Sequence, residues 1–321
     1  MDVARTQQGA AGQGGPSGRN LPEADLSKNV FHAPRERVVE YVLAFSALIS
    51  IVTTLGIAAV LIYESANFFA EVSIIDFLTE TEWTPQFTET HFGIWPLLSG
   101  TMLVTVIAAL VALPIGLASA IFIAEYAPRK LRRLLKPGLE LLAGIPTVVY
   151  GYFALTFVTP LLQPIIPGLN IYNALSAGIV VGIMIIPMIA SLSEDAIRAV
   201  PRSLAEGAYA LGATKVEVVL RVLVPGAISG IVASFILGLS RAIGETMIVT
   251  LAAGATATLT ANPADSVMTM TAYIVNVSLG DTPQGTLVYY SIFAVGLVLF
   301  LLTLVMNVIA NAVIQRFRER Y

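Results

Sequence analysis

The chain has 321 residues, 56% of them hydrophobic and only 12% charged, with a formal net charge of -3. An ordinary soluble domain carries about 25% charged residues, so a chain this poor in charge cannot coat a water-facing surface and must face lipid over much of it. The small net charge argues against a nucleic-acid partner, and with no cysteine and only two histidines the chain has no disulfide, no thiolate nucleophile and no Cys- or His-rich metal site of its own.

Residues 1–37 are polar and rich in Gly, Gln and Pro, as in QQGAAGQGGPSG. Such a segment cannot bury a core and predicts a disordered tail, without the basic and then apolar layout of a cleaved signal. The first uncharged window long enough to cross a bilayer, about 20 residues, is Tyr41 to Tyr63, which places a transmembrane helix within 38–63. Residues 64–95 form an acidic external segment, with Trp95 at the position of an interfacial anchor. A core of five further spans follows over 96–315. The second span starts near Leu97 and ends near Ala124. The window Leu141 to Ser193 is long enough for two spans, and Pro160, Pro164, Pro167, Gly168 and Asn170 divide it into helices of 139–160 and 173–193. Pro114 and Pro187 predict kinks in the second and fourth spans. A fifth span follows Pro225 and ends near Gly254; the last runs from Thr286 to Ile314, leaving 316–321 as a C-terminal tail. Residues 266–279 are apolar but too short to span, and predict an interfacial or re-entrant piece. The fold class is thus an all-α polytopic membrane protein with six transmembrane helices.

The basic residues orient it. The N-terminal tail holds Arg5, Arg19, Lys28, Arg35 and Arg37, and the loop after the second span Arg129, Lys130, Arg132, Arg133 and Lys136. The loop after the fourth holds Arg198, Arg202, Lys215 and Arg221, and the C-terminus Arg316, Arg318 and Arg320. The opposite loops hold none. By the positive-inside rule both termini are cytoplasmic. The one basic residue left over, Arg241, lies within the fifth span.

The cytoplasmic loop 194–225 is patterned as more than a connector. Ser203-Leu-Ala-Glu206 and Thr214-Lys-Val-Glu217 are capping-box patterns, predicting a helix of about 204–211, a bend at Gly212 and a second helix ended by Pro225. The resulting knob, carrying Leu204, Ala208, Tyr209 and Leu211, suits docking into a groove on another protein; by pattern alone it suits lying on the membrane surface equally well. The fifth span places Arg241 and Glu245 four residues apart, on one face of a continuous helix. Charge at that depth is costly, so the two should pair and face a protein interior or a watery path, with Gly238 and Gly244 permitting close approach. A guanidinium presents a planar fork of donors that matches an oxyanion; the alternative is a fixed ion pair locking helices together. Gly178-x-x-x-Gly182 and Gly226-x-x-x-Gly230 are helix-packing patterns. His91, Asn170 and Asn173 lie near external span ends.

Glu206-Gly207-Ala208, Gly212 and Val222-Leu-Val224-Pro225 resemble the EAA loop of ABC-importer permeases, with Gly207, Val222 and Val224 departing from its usual Ala, Ile and Leu. The stretch SEDAIRAVPRSLAEGAYALGATK, followed by RAIGET, resembles the permeases of the phosphate-specific Pst system. FGIWPLLSGT, FIAEYAPRKLRR and GIPTVVYGYFAL are similar to its PstC-type rather than its PstA-type subunit. The resemblance covers about residues 92–315. It implies a type I ABC-importer permease fold in the bacterial cytoplasmic membrane, importing inorganic phosphate by alternating access. It further implies a heterodimer with a PstA-like subunit, two copies of a PstB-like cytoplasmic ATPase and a periplasmic PstS-like phosphate-binding protein. Arg241 and Glu245 then belong to the substrate pathway, and Ser203, Glu206, Gly207, Ala208, Gly212 and Pro225 to ATPase coupling. No G-x-x-x-x-G-K-[ST] occurs in the chain, so the chain is expected to bind no cofactor itself, ATP and Mg being used by the partner. A PstA-like paralogue or a permease for sulfate or molybdate is the nearest alternative. An ion-coupled secondary transporter lacks an inverted-repeat signal, an intramembrane enzyme lacks convergent catalytic groups, and a scaffold would leave the Arg–Glu pair without purpose.

Overall fold

The computed structural model describes residues 34–317. The tail expected to be disordered over 1–37 lies outside the described residues as far as residue 33; residues 34–37 already belong to a helix, and the last four residues of the C-terminal tail also lie outside. The chain divides into two units, residues 1–56 and 57–321. In the first, helix α1 (Pro34–Glu71) begins. Its side chains from Val38 to Gly56 are exposed and uncharged beyond Glu40, a surface that only lipid or another apolar surface can cover.

The second unit is helical, with one isolated bridge, Trp83 with Phe92, and no strand among the described residues. After the end of α1, the segment up to residue 95 folds: α2 (Ile74–Thr79) is capped by Ser73, whose hydroxyl accepts from the Ile75 amide. Phe68 near the end of α1, Phe77, Trp83, Phe92 and Tyr273 meet edge to face and are buried, so the segment packs on an aromatic core that it shares with the helix 270–279. Trp95 is exposed and donates its indole N–H to the Leu78 carbonyl at 2.7 Å.

Two long helices form the centre. α3 (Trp95–Ile121), extended by a π-helical turn Phe122–Tyr126, lies along α7 (Ala174–Ala199). Both run on through their prolines, Pro114 and Pro187, as single helices. Glycine brings them together: a β-carbon on Gly178 would sit 2.6 Å from Ile107 Cβ, and one on Gly182 would sit 3.0 Å from the Ala108 carbonyl. The Gly178/Gly182 pattern is therefore an intrachain packing device. Asn173 starts α7 by accepting from the Ser176 amide at 2.7 Å, and is wholly buried rather than placed at an external mouth.

Three expected helices differ. The span expected over 139–160 is broken: α4 (Arg129–Ala143) and the run α5 (Thr147–Phe153), a π-helical turn Ala154–Val158 and α6 (Thr159–Leu162) meet at 86°. Gly144 closes α4, and Pro146 can neither continue it nor donate to it. Strongly amphipathic, with its cations on one side, α4 suits a water interface rather than the bilayer centre. The helix expected to stop at Pro225 instead includes it. α8 (Arg202–Ala210) and α9 (Lys215–Val218) lead through a π-helical turn Val219–Leu223 into α10 (Val224–Gly226), and the 71° bend falls at Ala227. The π-turn lets the Val224 amide reach Val219 and so absorbs the proline's missing bond. The fifth span is also two pieces, α11 (Ile228–Ile243) and α12 (Met247–Ala252). The short apolar segment is α13 (Met270–Leu279), with Met270, Ala272 and Tyr273 buried in protein; α14 (Leu287–Phe317) closes the fold. Four helices are long and apolar enough to cross a membrane, or six if each bent pair counts as one span, among the described residues.

Candidate functional site

The first site is the knob formed by the loop 194–225. Pro201, held near φ -55°, starts α8 two residues earlier than the Ser203 pattern implies, so Ser203 lies inside the helix and makes no cap. That expected capping box is corrected; the second is formed. The Thr214 hydroxyl accepts from the Glu217 amide at 3.4 Å, and the Glu217 carboxylate accepts from the Thr214 amide at 2.9 Å. The Thr214 amide, then its hydroxyl and the Arg221 cation hold the Glu217 carboxyl below the usual carboxylate range. Between the helices Gly212 has φ +86°, which a side chain would strain, and the turn is closed by Gly212 N–H to Tyr209 O and Ala213 N–H to Ala208 O. Ala208 and Ala205 pack inward on a buried cluster of Ala120, Ile197, Val218 and Leu223. Glu206 and Gly207 are exposed, with no atom within 4 Å of where a Gly207 β-carbon would lie. Leu204, Tyr209 and Leu211 are exposed too, Leu211 at 91%. Pro225 sits in α10 at the root of the knob.

The second site is the interruption of the fifth span. Arg241 lies in the last turn of α11, and Gly244-Glu245-Thr246 separates it from α12. The expected Arg241–Glu245 ion pair is absent among the described residues. Glu245 is 7% exposed and turns forward: its Oε1 accepts from the amides of Met247 and Ile248 at 3.1 and 3.2 Å, starting α12. Thr271 on α13 donates to the Glu245 carbonyl at 2.7 Å and fixes the break. The reason for the separation is electrostatic. A helix C-terminus favours a cation and an N-terminus an anion, so the break supplies each charge with its own partial counter-charge. Arg241 is exposed and has no ion-pair or hydrogen-bond partner among the described residues. Gly238 lies against α7, where a β-carbon would be 2.8 Å from Ile189 Cγ1; Gly244 meets only its own helix.

Sequence reading missed a third charged group. Glu194, near the end of α7, is wholly buried, with Lys136 of α4 2.5 Å from Oε2 and Arg198 3.2 Å from Oε1. The i, i+4 spacing of Glu194 and Arg198 was the available signal; the approach of Lys136 across the α4 bend was not legible. His91 lies 3.4 Å from Glu80, a half-exposed local contact.

Residues 112–319 match the family described as "Binding-protein-dependent transport system inner membrane component". The probable ABC transporter permease protein YqgH of Bacillus subtilis is 38% identical over 72% of this chain and 75% of its own length. The phosphate transport system permease protein PstC of Mesorhizobium japonicum is 34% identical over 92% of both chains, and that of Haemophilus influenzae 35% identical over 85% of this chain and 92% of its own. A solved bacterial ABC transporter for the import of the acidic polysaccharide alginate shares the fold, with TM-score 0.62 at 18% identity over 89% of this chain and 99% of that one. The MetNI methionine ABC transporter does so at TM-score 0.55 and 17% identity, over 70% and 98%. The fold is that of an ABC-importer permease, and the chain belongs to the binding-protein-dependent transport system inner membrane component family, among its PstC-type permeases.

Proposed function

We propose that this chain is the PstC-like permease subunit of an ATP-driven importer that carries inorganic phosphate across the cytoplasmic membrane by alternating access. The PstC relatives support the substrate, and one observation in the chain carries the chemistry: Arg241 is exposed, unpaired among the described residues, and set at a helix break in a span with no other basic residue. A permanently charged guanidinium is too costly to leave against lipid, so its exposed face turns to a second permease subunit and the path between the two. There its donor fork takes phosphate oxygens in transit. Glu245 serves the pathway by holding the break open rather than by pairing with Arg241.

The remaining assignments rest on family membership and on surface chemistry. The exposed face of α8, with Glu206 and Gly207 beside Leu204, Tyr209 and Leu211, docks into a cytoplasmic ATPase present in two copies, and Gly212 and Pro225 set its angle. ATP and Mg are used in that partner. An external phosphate-binding protein delivers the substrate, and the distribution of Lys and Arg puts both termini in the cytoplasm.

Labelled phosphate uptake in cells lacking the subunit tests the reading, with the wild-type chain and Arg241→Gln supplied in turn. The wild-type chain restores uptake that arsenate blocks and sulfate does not, and Arg241→Gln abolishes it with the complex intact. Uptake blocked by sulfate or molybdate instead transfers the subunit to another oxyanion. Failure of Arg241→Gln to assemble makes the arginine structural.

A further inference from the structure

The inner end of α3 is built unlike the other helix ends. Its last turn is π-helical, with the Ala127 amide bonded back to Phe122, and the chain then leaves in an extended conformation at Ala127 and Pro128. The carbonyls of Ile123, Ala124 and Glu125 are therefore left without following amides, at the end of a helix where partial negative charge collects. Two cations from two different elements take them. Arg132 of α4 donates Nε to the Ile123 carbonyl at 2.8 Å and its terminal nitrogen to the Ala124 carbonyl at 2.6 Å. Lys215, the first residue of α9, reaches across 90 residues of sequence to donate to the Glu125 carbonyl at 2.7 Å, with its ammonium 4.6 Å from the centre of the Tyr126 ring.

We infer that this turn is the joint through which the cytoplasmic knob moves the membrane helices, with Lys215 and Arg132 as its positioning residues. The inference rests on the reading of α8 as the ATPase-contacting element. α8 and α9 move as one piece, because the Gly212 turn is closed by backbone bonds and Thr214 and Glu217 cap each other. Lys215 is the first residue past that cap, so a displacement of the knob is delivered at the Glu125 carbonyl. From α3 it passes to α7 through the glycine contacts at Gly178 and Gly182, and from α7 to α11 where Gly238 meets Ile189. That chain ends at the helix carrying Arg241. Arg132, from α4, holds the adjacent carbonyls of the same turn, so the turn is tied to two elements at once. The ratio of transport to hydrolysis measures the coupling through this joint.

The test uses the whole transporter in proteoliposomes, with phosphate carried per ATP hydrolysed as the readout. Lys215→Met keeps the length of the side chain and removes its charge and donors; it is expected to lower the ratio by about fivefold or more with the ATPase still bound. Lys215→Arg retains a donor and the contact with the ring and is expected to stay within about twofold of wild type. A wild-type ratio in Lys215→Met, or equal losses of transport and hydrolysis, overturns the inference. Tyr126→Leu removes the ring alone and is expected to lower the ratio in the same direction, by less. Should Lys215→Met fail to assemble, an unchanged ratio in Tyr126→Leu overturns the inference in its place. Glu206→Lys separates the two levels. If it uncouples the ATPase and Lys215→Met does not, only the joint fails. If Glu206→Lys leaves docking and coupling untouched, the reading of α8 itself falls, and the joint with it.

Discussion

Two carboxylates, Glu194 and Glu245, are buried and are kept so by different means. Glu194 is held by ions, with Lys136 from α4 on one oxygen and Arg198 on the other. Glu245 is held by two backbone amides at the start of α12. Neutralising a carboxylate with cations consumes the cations, and the α4–α7 corner is thereby locked. Holding it with helix amides leaves the neighbouring cation unspent, and at the fifth span that cation is Arg241. The contrast separates a charge group that joins elements from one that leaves a cation without a side-chain partner among the described residues.

The comparison can be broken in three places. Lys136→Ala leaves Glu194 buried with one partner and is expected to destabilise the purified permease by about 3 kcal/mol in thermal unfolding. Glu194→Gln leaves only partly exposed cations, which water can reach, and is expected to cost about 1 kcal/mol. Equal effects would mean that Glu194 is hydrated. Next, Glu245→Ala removes two charge-assisted bonds from the start of α12, and the expected loss is about 2 kcal/mol by the same assay. A neutral result would dissolve the account of the helix break.

A double-mutant cycle sharpens the point. Arg241→Gln and Glu245→Gln are expected to add in stability to within about 0.5 kcal/mol, whereas Lys136→Met and Glu194→Gln are expected to deviate from additivity by about 1 kcal/mol or more. Strong coupling at the first pair would restore the ion pair that the sequence suggested. The smallest effects concern the two capping patterns. Thr214→Ala is expected to cost about 1 kcal/mol, and Ser203→Ala less than about 0.5 kcal/mol, read from hydrogen exchange of the knob amides. The Glu217 carboxyl has a depressed pKa in the fold, so its contribution is present above the ordinary carboxylate range. It is lost as pH falls through the lower, folded value. Exchange protection that instead fell on raising the pH from that range would contradict the cap.

Much of the site was legible before any coordinates, for physical reasons that differ by residue. Thr214 and Glu217 read correctly because a capping box is a local arrangement within four residues. Ser203 read wrongly because Pro201 two residues earlier started the helix, a competition between two start signals that pattern alone does not rank. Gly178 and Gly182 were readable as a packing stripe, but not the helix they pack on. The 139–160 helix failed because counting uncharged residues ignores direction: Gly144 and Pro146 leave the composition apolar while turning the chain through 86°. The Arg241–Glu245 pair failed for a related reason, since i, i+4 spacing implies a shared face only while the helix is unbroken.

What the sequence by itself determined was the solvent and the sidedness: few charges, uncharged windows of bilayer length and a one-sided distribution of Lys and Arg demand a polytopic helical protein and propose its orientation. It also determined the presence of a lone arginine in the fifth span and of a turn at Gly212. Only the tertiary structure decided which charges meet. Lys136 reaches Glu194 because α4 folds back at the Gly144–Pro146 bend, Lys215 reaches the end of α3 from 90 residues away, and Arg241 has no partner among the described residues because Glu245 has gone to the amides of α12. Composition and local spacing fix how much charge a chain must bury; which partner satisfies each charge depends on where the helices break, and that is set by packing between segments far apart in the sequence.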